Sequence, residues 1–74
     1  MARSFIMINS RRHEVSPYIK EWAKQIVREL EWQNVPEEGI KKIVDGTIAT
    51  KGQLHNYCVS HNLCFNTISK IVFD

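Results

Sequence analysis

The segment LHNYCVSHNLCFNTISKI, residues 54–71, has the residue spacing of a helix-turn-helix motif. Two short helices cross closely only where the residue at their contact is small and the turn between them is tight. Cys58 supplies the small residue, and Asn62 tolerates the left-handed conformation needed at the turn. The apolar positions of the motif are occupied by Tyr57, Leu63, Ile68 and Ile71. His61 stands where an aliphatic residue is usual and Asn62 where glycine is, so an unrelated helical hairpin is the alternative.

The outward side of the second helix carries the candidate nucleic-acid contacts, Phe65, Asn66, Ser69 and Lys70. Asparagine can hydrogen-bond to adenine, and serine can bind a phosphate. Lys70 is the one cation of this set, whereas affinity for DNA depends on several lysine or arginine contacts to phosphates. We therefore expect weak autonomous DNA binding. A helix-turn-helix that serves as a scaffold for protein binding is an equally good interpretation.

Two helices are predicted upstream of this segment. Apolar residues recur at helical spacing from Ile19 to Leu30, and Ser16-Pro17 is a typical helix start, which predicts a helix over residues 17–32. The second helix begins at Pro36 and ends near Gly46. Its buried face is predicted to be Ile40, Ile43 and Val44.

The two helices of the motif have boundary signals of their own. Thr50 followed by Gln53 is a capping-box pattern and predicts a third helix over residues 51–61. A fourth helix is predicted over residues 65–72. The fold class is therefore mainly α, a small bundle of about four helices with a helix-turn-helix-like C-terminal half over residues 50–72.

Residues 1–13 are predicted to form a basic, apolar N-terminal arm, and residues 14–74 the helical domain. Residues 4–8, SFIMI, are short, apolar and partly β-branched, which predicts a strand or an extended segment. A single strand must pair with another segment, because its backbone groups need partners. The arm either adds to another protein's sheet edge or groove, or it pairs with residues 71–73, or it packs on the bundle.

The chain has 74 residues and a net charge of +2, and three arginines of the arm have no acid beside them. Lys20, Lys24 and Arg28 on the first helix are interpreted as a solvated face, with anion binding as the alternative. A hydrophobic content of 43% and a charged content of 24% argue against disorder. No apolar run is long enough to span a bilayer, and no signal peptide is visible, so we expect a cytoplasmic location.

His55, Cys58, His61 and Cys64 recur every three residues. Zinc requires four ligands that converge tetrahedrally, and on a continuous helix this spacing spreads them around the axis. The alternative is a buried Cys58, a Cys64 at the turn and two exposed histidines. No metal or other cofactor is predicted. No catalytic residues are predicted either, because no nucleophile stands with an orienting group and an oxyanion site.

From the opening residues 2–8, ARSFIMI, through its terminal helices, the chain resembles small phage-encoded regulators that bind host RNA polymerase, such as the inhibitor and antitermination factor of a Xanthomonas phage. The resemblance implies a monomeric, non-enzymatic protein in the bacterial host cell. It would bind the N-terminal region of the β′ subunit, and β elements near the RNA exit channel. It would inhibit promoter initiation by displacing the specificity factor, and suppress intrinsic termination with the help of the elongation factor NusA.

The contact residues predicted for that partner are those of the arm, namely Arg3, Ser4, Phe5, Ile6, Met7, Ile8, Arg11 and Arg12. The alternative function is that of a helix-turn-helix DNA-binding protein such as a small phage repressor or excisionase. Salt dependence separates the two, because a DNA-binding protein retards duplex DNA with a steep dependence on salt concentration.

Overall fold

A computed structural model describes residues 3–73 as two strands followed by four helices. The elements are β1 (Ser4–Ile8), β2 (Arg11–Val15), α1 (Lys20–Trp32), α2 (Glu37–Val44), α3 (Lys51–Ser60) and α4 (Phe65–Phe73). The predicted mainly α class with four helices is confirmed. The N-terminal segment is more than an arm, because it contains a second strand that was not predicted.

The two strands form an antiparallel hairpin in which Ser4 pairs with Val15 and Ile8 with Arg11. Asn9 and Ser10 connect them with φ values of 50° and 68°. Two consecutive positive φ angles are what a type I′ turn requires, and the twist of that turn matches the twist of paired strands. The expectation that the arm pairs with residues 71–73 is wrong, because those residues belong to α4.

One hydrophobic core joins the hairpin to the helices. Ile6, Ile8 and Val15 are buried, and β1 packs on α1 and α2. The remaining buried core residues are Ala23, Ile26, Val27, Leu30, Val35, Ile40, Ile43, Val44, Ile48, Leu54, Cys58 and Ile68. The predicted boundary at residue 13 therefore falls inside β2, in the middle of a shared core.

Helix α1 begins at Lys20, three residues later than predicted. Ser16 does not cap it; the backbone N–H of Ile19 donates to the Ser16 carbonyl oxygen at 3.1 Å, and the N–H of Tyr18 donates to Ser16 Oγ at 3.3 Å. These bonds close a turn ahead of the helix. The predicted end at Trp32 is confirmed, and Asn34 (φ 63°) reverses the chain after it.

The predicted features of the C-terminal half are present locally. Thr50 Oγ1 accepts from Gln53 N at 3.2 Å and Gln53 Oε1 accepts from Thr50 N at 3.1 Å, so the capping box is confirmed. Asn62 has the predicted left-handed conformation, with φ 58°. Cys58 and Ile68 are buried between α3 and α4 and the rest of the core.

Candidate partner-binding surface

The side chains of β1 alternate between the core and the surface, as the two-residue period of a strand requires. Ile6 and Ile8 lie in the core, so they are not free to contact a partner as predicted; this part of the predicted surface is corrected. Ser4 is half-buried on the same side. Phe5 and Met7 point to the opposite side, and Met7 is 55% exposed. The surface role of the outward residues stays a prediction.

The predicted arginines of the hairpin differ in what they contact. Arg3 Nε lies 3.7 Å from Glu14 Oε2, and Arg11 Nε lies 3.8 Å from Glu37 Oε1. Both arginines are exposed, and ion pairs of this kind contribute little to stability. The guanidinium of Arg12 instead lies 4.8 Å from the centre of the Phe5 ring, a cation–π contact.

A groove runs between the outward side of the hairpin and α1, and we call it the hairpin–α1 groove. Apolar side chains form its floor, including Phe5, Met7 and Val27. Its cations are Arg12, Lys20, Lys24 and Arg28, and none of them forms an ion pair with a carboxylate among residues 3–73. The groove thus combines an apolar floor with four positive charges.

Glu31 is the acid of the hairpin–α1 groove, and one of its carboxylate oxygens accepts a hydrogen bond from the hairpin turn. Glu31 Oε2 accepts from the backbone N–H of Asn9 at 2.6 Å. This bond fixes the hairpin turn against the last turn of α1. A second link joins β2 to α2, where His13 Nε2 lies 2.7 Å from Glu37 Oε2 in a partly buried contact. The hairpin is therefore held in a defined position beside α1.

The cations of α1 were predicted to be a solvated face, and the structure places them beside the hairpin. Lys20, Lys24 and Arg28 recur every four residues, which puts them on one side of a helix. That spacing is the sequence signal for a basic stripe. The sequence does not show that Phe5 and Arg12 lie next to the stripe, because their proximity arises from tertiary packing.

The four candidate contacts on α4 do not form a charged surface. Asn66 and Lys70 are exposed, whereas Phe65 and Ser69 are half-buried. The Phe65 ring packs edge-to-face on His55, with 5.1 Å between ring centres. Lys70 remains the one cation of the set, as the sequence indicated.

A second concave surface lies between α1 and α4, and we call it the α1–α4 cleft. Its walls are Arg28, Glu29, Trp32 and Gln33 from α1 and the segment after it, and Thr67, Lys70 and Ile71 from α4. Trp32 is 83% exposed. Arg28 lines both the cleft and the hairpin–α1 groove, so the two surfaces adjoin at this residue.

The histidines and cysteines of the C-terminal half are not brought together. Cys58 is buried, and His61 stacks on Tyr57 with ring centres 4.0 Å apart. Over residues 3–73, no group of three or more histidine, cysteine or acidic side chains is arranged to hold a metal ion. The zinc alternative therefore has no geometry to support it in the described part of the chain.

The two thiols are in contrasting environments. Burial raises the pKa of the Cys58 thiol. Cys64 is exposed at the start of α4, and hydrogen bonding with the Thr67 side chain, at 3.3 Å between Sγ and Oγ1, lowers the pKa of the Cys64 thiol. Cys64 is thus the more nucleophilic of the two.

Comparisons with protein families, with curated proteins and with solved structures find no match to this chain. None of the helices within residues 3–73 has the length and apolar character needed to cross a membrane.

Proposed function

We propose that the protein is a non-enzymatic transcription regulator that binds bacterial RNA polymerase through its basic hairpin face. The observation that supports this most is the hairpin–α1 groove, where Arg12, Lys20, Lys24 and Arg28 stand without carboxylate partners among residues 3–73. Unpaired cations over an apolar floor suit a large acidic partner better than a small substrate. Such a surface accelerates association by electrostatic steering.

The choice of polymerase follows from the resemblance together with this charge distribution. The resemblance implies a partner surface near the RNA exit channel, where the phosphates of the emerging transcript would attract a basic face. In this proposal the contacts are the outward residues of the hairpin, Arg3, Phe5, Met7 and Arg12, together with the three cations of α1. Arg11, which was also predicted as a contact, lies on the side of Ile8 and contacts Glu37, so it is left out of this surface. They would engage the N-terminal region of β′ and neighbouring β elements.

The proposed action is obstruction without chemistry. Bound near the exit channel, the protein would hinder the specificity factor and so inhibit promoter initiation. On the elongating enzyme it would suppress intrinsic termination, aided by NusA. The protein would act as a monomer in the cytoplasm of the bacterial host.

Binding to purified core polymerase tests the proposal. The double variant Arg12→Ala/Lys24→Ala removes two cations of the groove and should bind at least about tenfold more weakly, chiefly through slower association. The matched control is Lys42→Ala/Lys51→Ala, which removes the same charge outside the groove and should bind as the parent does. Equal loss in both variants would contradict a specific face. Deletion of the hairpin is unsuitable, because it removes Ile6 and Ile8 from the core.

A transcription assay tests the proposed consequence. On a template with an intrinsic terminator, the parent protein should raise read-through, and NusA should increase the effect. The Arg12→Ala/Lys24→Ala variant should raise read-through less than the parent does, in proportion to its weaker binding to polymerase. Read-through that is unchanged by the parent protein at saturating concentration would refute the antitermination role.

A helix-turn-helix DNA-binding protein is the second candidate, and the α3–α4 unit favours it. The left-handed Asn62, the buried Cys58 and the buried Ile68 agree with the motif. Asn66 and Lys70 are exposed for contact with DNA. Retardation of duplex DNA by the protein alone, with a steep dependence on salt and loss on Asn66→Ala, would favour this function over polymerase binding.

A further inference from the structure

The exposed Trp32 in the α1–α4 cleft has no partner within the described part of the chain. Its ring takes part in no aromatic pair and no cation–π contact there, although Arg28 lies one helical turn away. Ile71 on α4 extends the apolar surface beside it. A tryptophan with a free face next to an aliphatic side chain offers a platform on which a flat, apolar group can stack.

Positive charge flanks this platform on both walls of the cleft. Arg28 stands on α1 and Lys70 on α4, and neither has a carboxylate partner among residues 3–73. Glu29 is the one acid that lines the cleft. The cleft has a volume of about 540 Å³, within the range of about 300–1,000 Å³ typical of sites that take small ligands.

The charge continues beyond the cleft. Because Arg28 also lines the hairpin–α1 groove, a track of cations extends from Lys70 past Arg28 to Arg12. Lys20 and Lys24 lie along it. These five cations outnumber the two acids that line the cleft and the groove, Glu29 and Glu31. A ligand that fits this surface has repeated negative charges and at least one flat ring.

We propose that the α1–α4 cleft binds single-stranded nucleic acid, with one base stacked on Trp32 and the adjoining phosphates on Arg28 and Lys70. The strand continues along the cations of the hairpin–α1 groove. An exposed aromatic side chain beside a basic track is the arrangement by which proteins bind single strands without sequence preference. Within the proposed function the strand is the emerging transcript, but this site needs no polymerase to bind it.

Two other occupants fit the cleft less well. A second copy of the chain would bring the same cations against one another, which opposes self-association. An acidic peptide matches the charge, but its carboxylate side chains provide no flat ring to stack on Trp32. A base in a duplex is covered by its neighbours on both faces, so an intact double helix cannot use the platform.

Tryptophan fluorescence of the whole protein provides the test. The chain has two tryptophans, so Trp22→Phe leaves Trp32 as the reporter. RNA and DNA single strands of about 12 nucleotides, within the site sizes that such proteins occupy, are each titrated into the protein. The matching duplex is titrated in the same way for comparison. Single strands should quench Trp32 and bind more tightly than duplex. Tighter binding of RNA than DNA would identify the ligand as a transcript, and equal binding a single strand of either sugar.

Variants assign the binding to the cleft. With labelled single strands, Trp32→Ala should weaken binding about tenfold, and Trp32→Phe should retain most of it. Tyr18→Ala is the matched control, because Tyr18 is 96% exposed and lies outside the cleft. Lys70→Ala should reduce the slope of log affinity against log salt by about 0.7, whereas Lys51→Ala should leave it unchanged.

Several results would overturn the site. Trp32→Ala that binds single strands as tightly as Tyr18→Ala would exclude stacking. If duplex bound as tightly as single strands and left the Trp32 fluorescence unchanged, the binding would be electrostatic attraction without base stacking. Competition by polyglutamate at equal charge concentration would indicate an acidic peptide, and concentration-dependent dimers that bury Trp32 would indicate a second copy. Arg12 and Lys24 belong to both proposed surfaces, so Trp32→Ala separates the two proposals: its binding to core polymerase should match the parent while its binding to single strands weakens.

Discussion

At the scale of single residues, Gly39 of α2 lies in close contact with Tyr57 of α3. A Cβ atom at Gly39 would run into the Tyr57 phenol ring. The Tyr57 hydroxyl is buried and has no hydrogen-bond partner among residues 3–73. Burial raises the pKa of this hydroxyl, and Glu38 raises it further. Glycine at position 39 therefore serves the contact between the helices.

Gly39→Ala should lower the free energy of unfolding by about 1–3 kcal/mol, because the tyrosine must move out of a packed site. Gly52→Ala is the control, since the nearest atom to its added Cβ is Thr50 Oγ1 at 3.9 Å. That change should be neutral or stabilise the helix by up to about 1 kcal/mol. Urea unfolding measures both, and equal effects would contradict the close contact.

Tyr57→Phe should leave stability unchanged or increase it. The hydroxyl loses its hydrogen bonds to water on folding and gains none from residues 3–73. Its removal should therefore not lower the free energy of unfolding. The phenyl ring keeps its packing. A loss above about 1 kcal/mol in urea unfolding would show that the hydroxyl has a partner after all.

The two cysteines should react at different pH values. Because the pKa of the Cys64 thiol is lowered, its rate of alkylation by iodoacetamide should reach half of its maximum at a pH below 9.0, the ordinary pKa of a cysteine thiol. Thr67→Val removes the hydrogen bond and should raise that midpoint. Cys58 is the internal control, because its thiol is buried and its pKa is raised, so it should react only when the protein unfolds. Mass spectrometry over a pH series separates the two sites.

At the scale of secondary structure, the helices were predictable and the second strand was not. Helical periodicity and the Thr50–Gln53 pair mark helices because these signals are local. In β2, the strand is polar except at Val15, so it lacks the apolar alternation by which strands are recognised. Its connection, Asn9-Ser10, also lacks the glycine that usually marks a type I′ turn.

Ser10→Gly should stabilise the protein by about 1 kcal/mol, because serine at φ 68° carries a steric cost that glycine does not. The matched control is Ser69→Gly in the middle of α4, where glycine should cost about 0.5–1 kcal/mol. Thermal unfolding should therefore shift in opposite directions for the two changes. A destabilising Ser10→Gly would contradict the turn type.

At the scale of the whole molecule, the hairpin is part of the domain and not an appendage. Ile8 is completely buried and Met7 beside it is 55% exposed, so the same strand serves the core and the surface. The outward direction of Phe5 and Met7 was predictable from the alternation of side chains along an extended segment. Their proximity to the cations of α1, and the position of Trp32 beside α4, depend on how distant segments pack, which no local pattern shows.

Ile8→Ala should lower the free energy of unfolding by about 2–5 kcal/mol and should reduce the helical circular dichroism at moderate urea, because the hairpin and the helices share one core. Met7→Ala should change stability by less than about 0.5 kcal/mol. A helical signal that is indifferent to Ile8→Ala would mean that the hairpin folds apart from the helices.

The affinity of two double variants for core RNA polymerase decides whether the partner surface is the hairpin–α1 groove or the outward side of α4. Arg12→Glu/Lys24→Glu reverses charge in the hairpin–α1 groove, and Asn66→Ala/Ser69→Ala alters the outward side of α4. We expect the first variant to lose polymerase binding and the second to bind as the parent does. Binding that survives charge reversal in the groove but is lost with Asn66 and Ser69 would contradict the proposed partner surface.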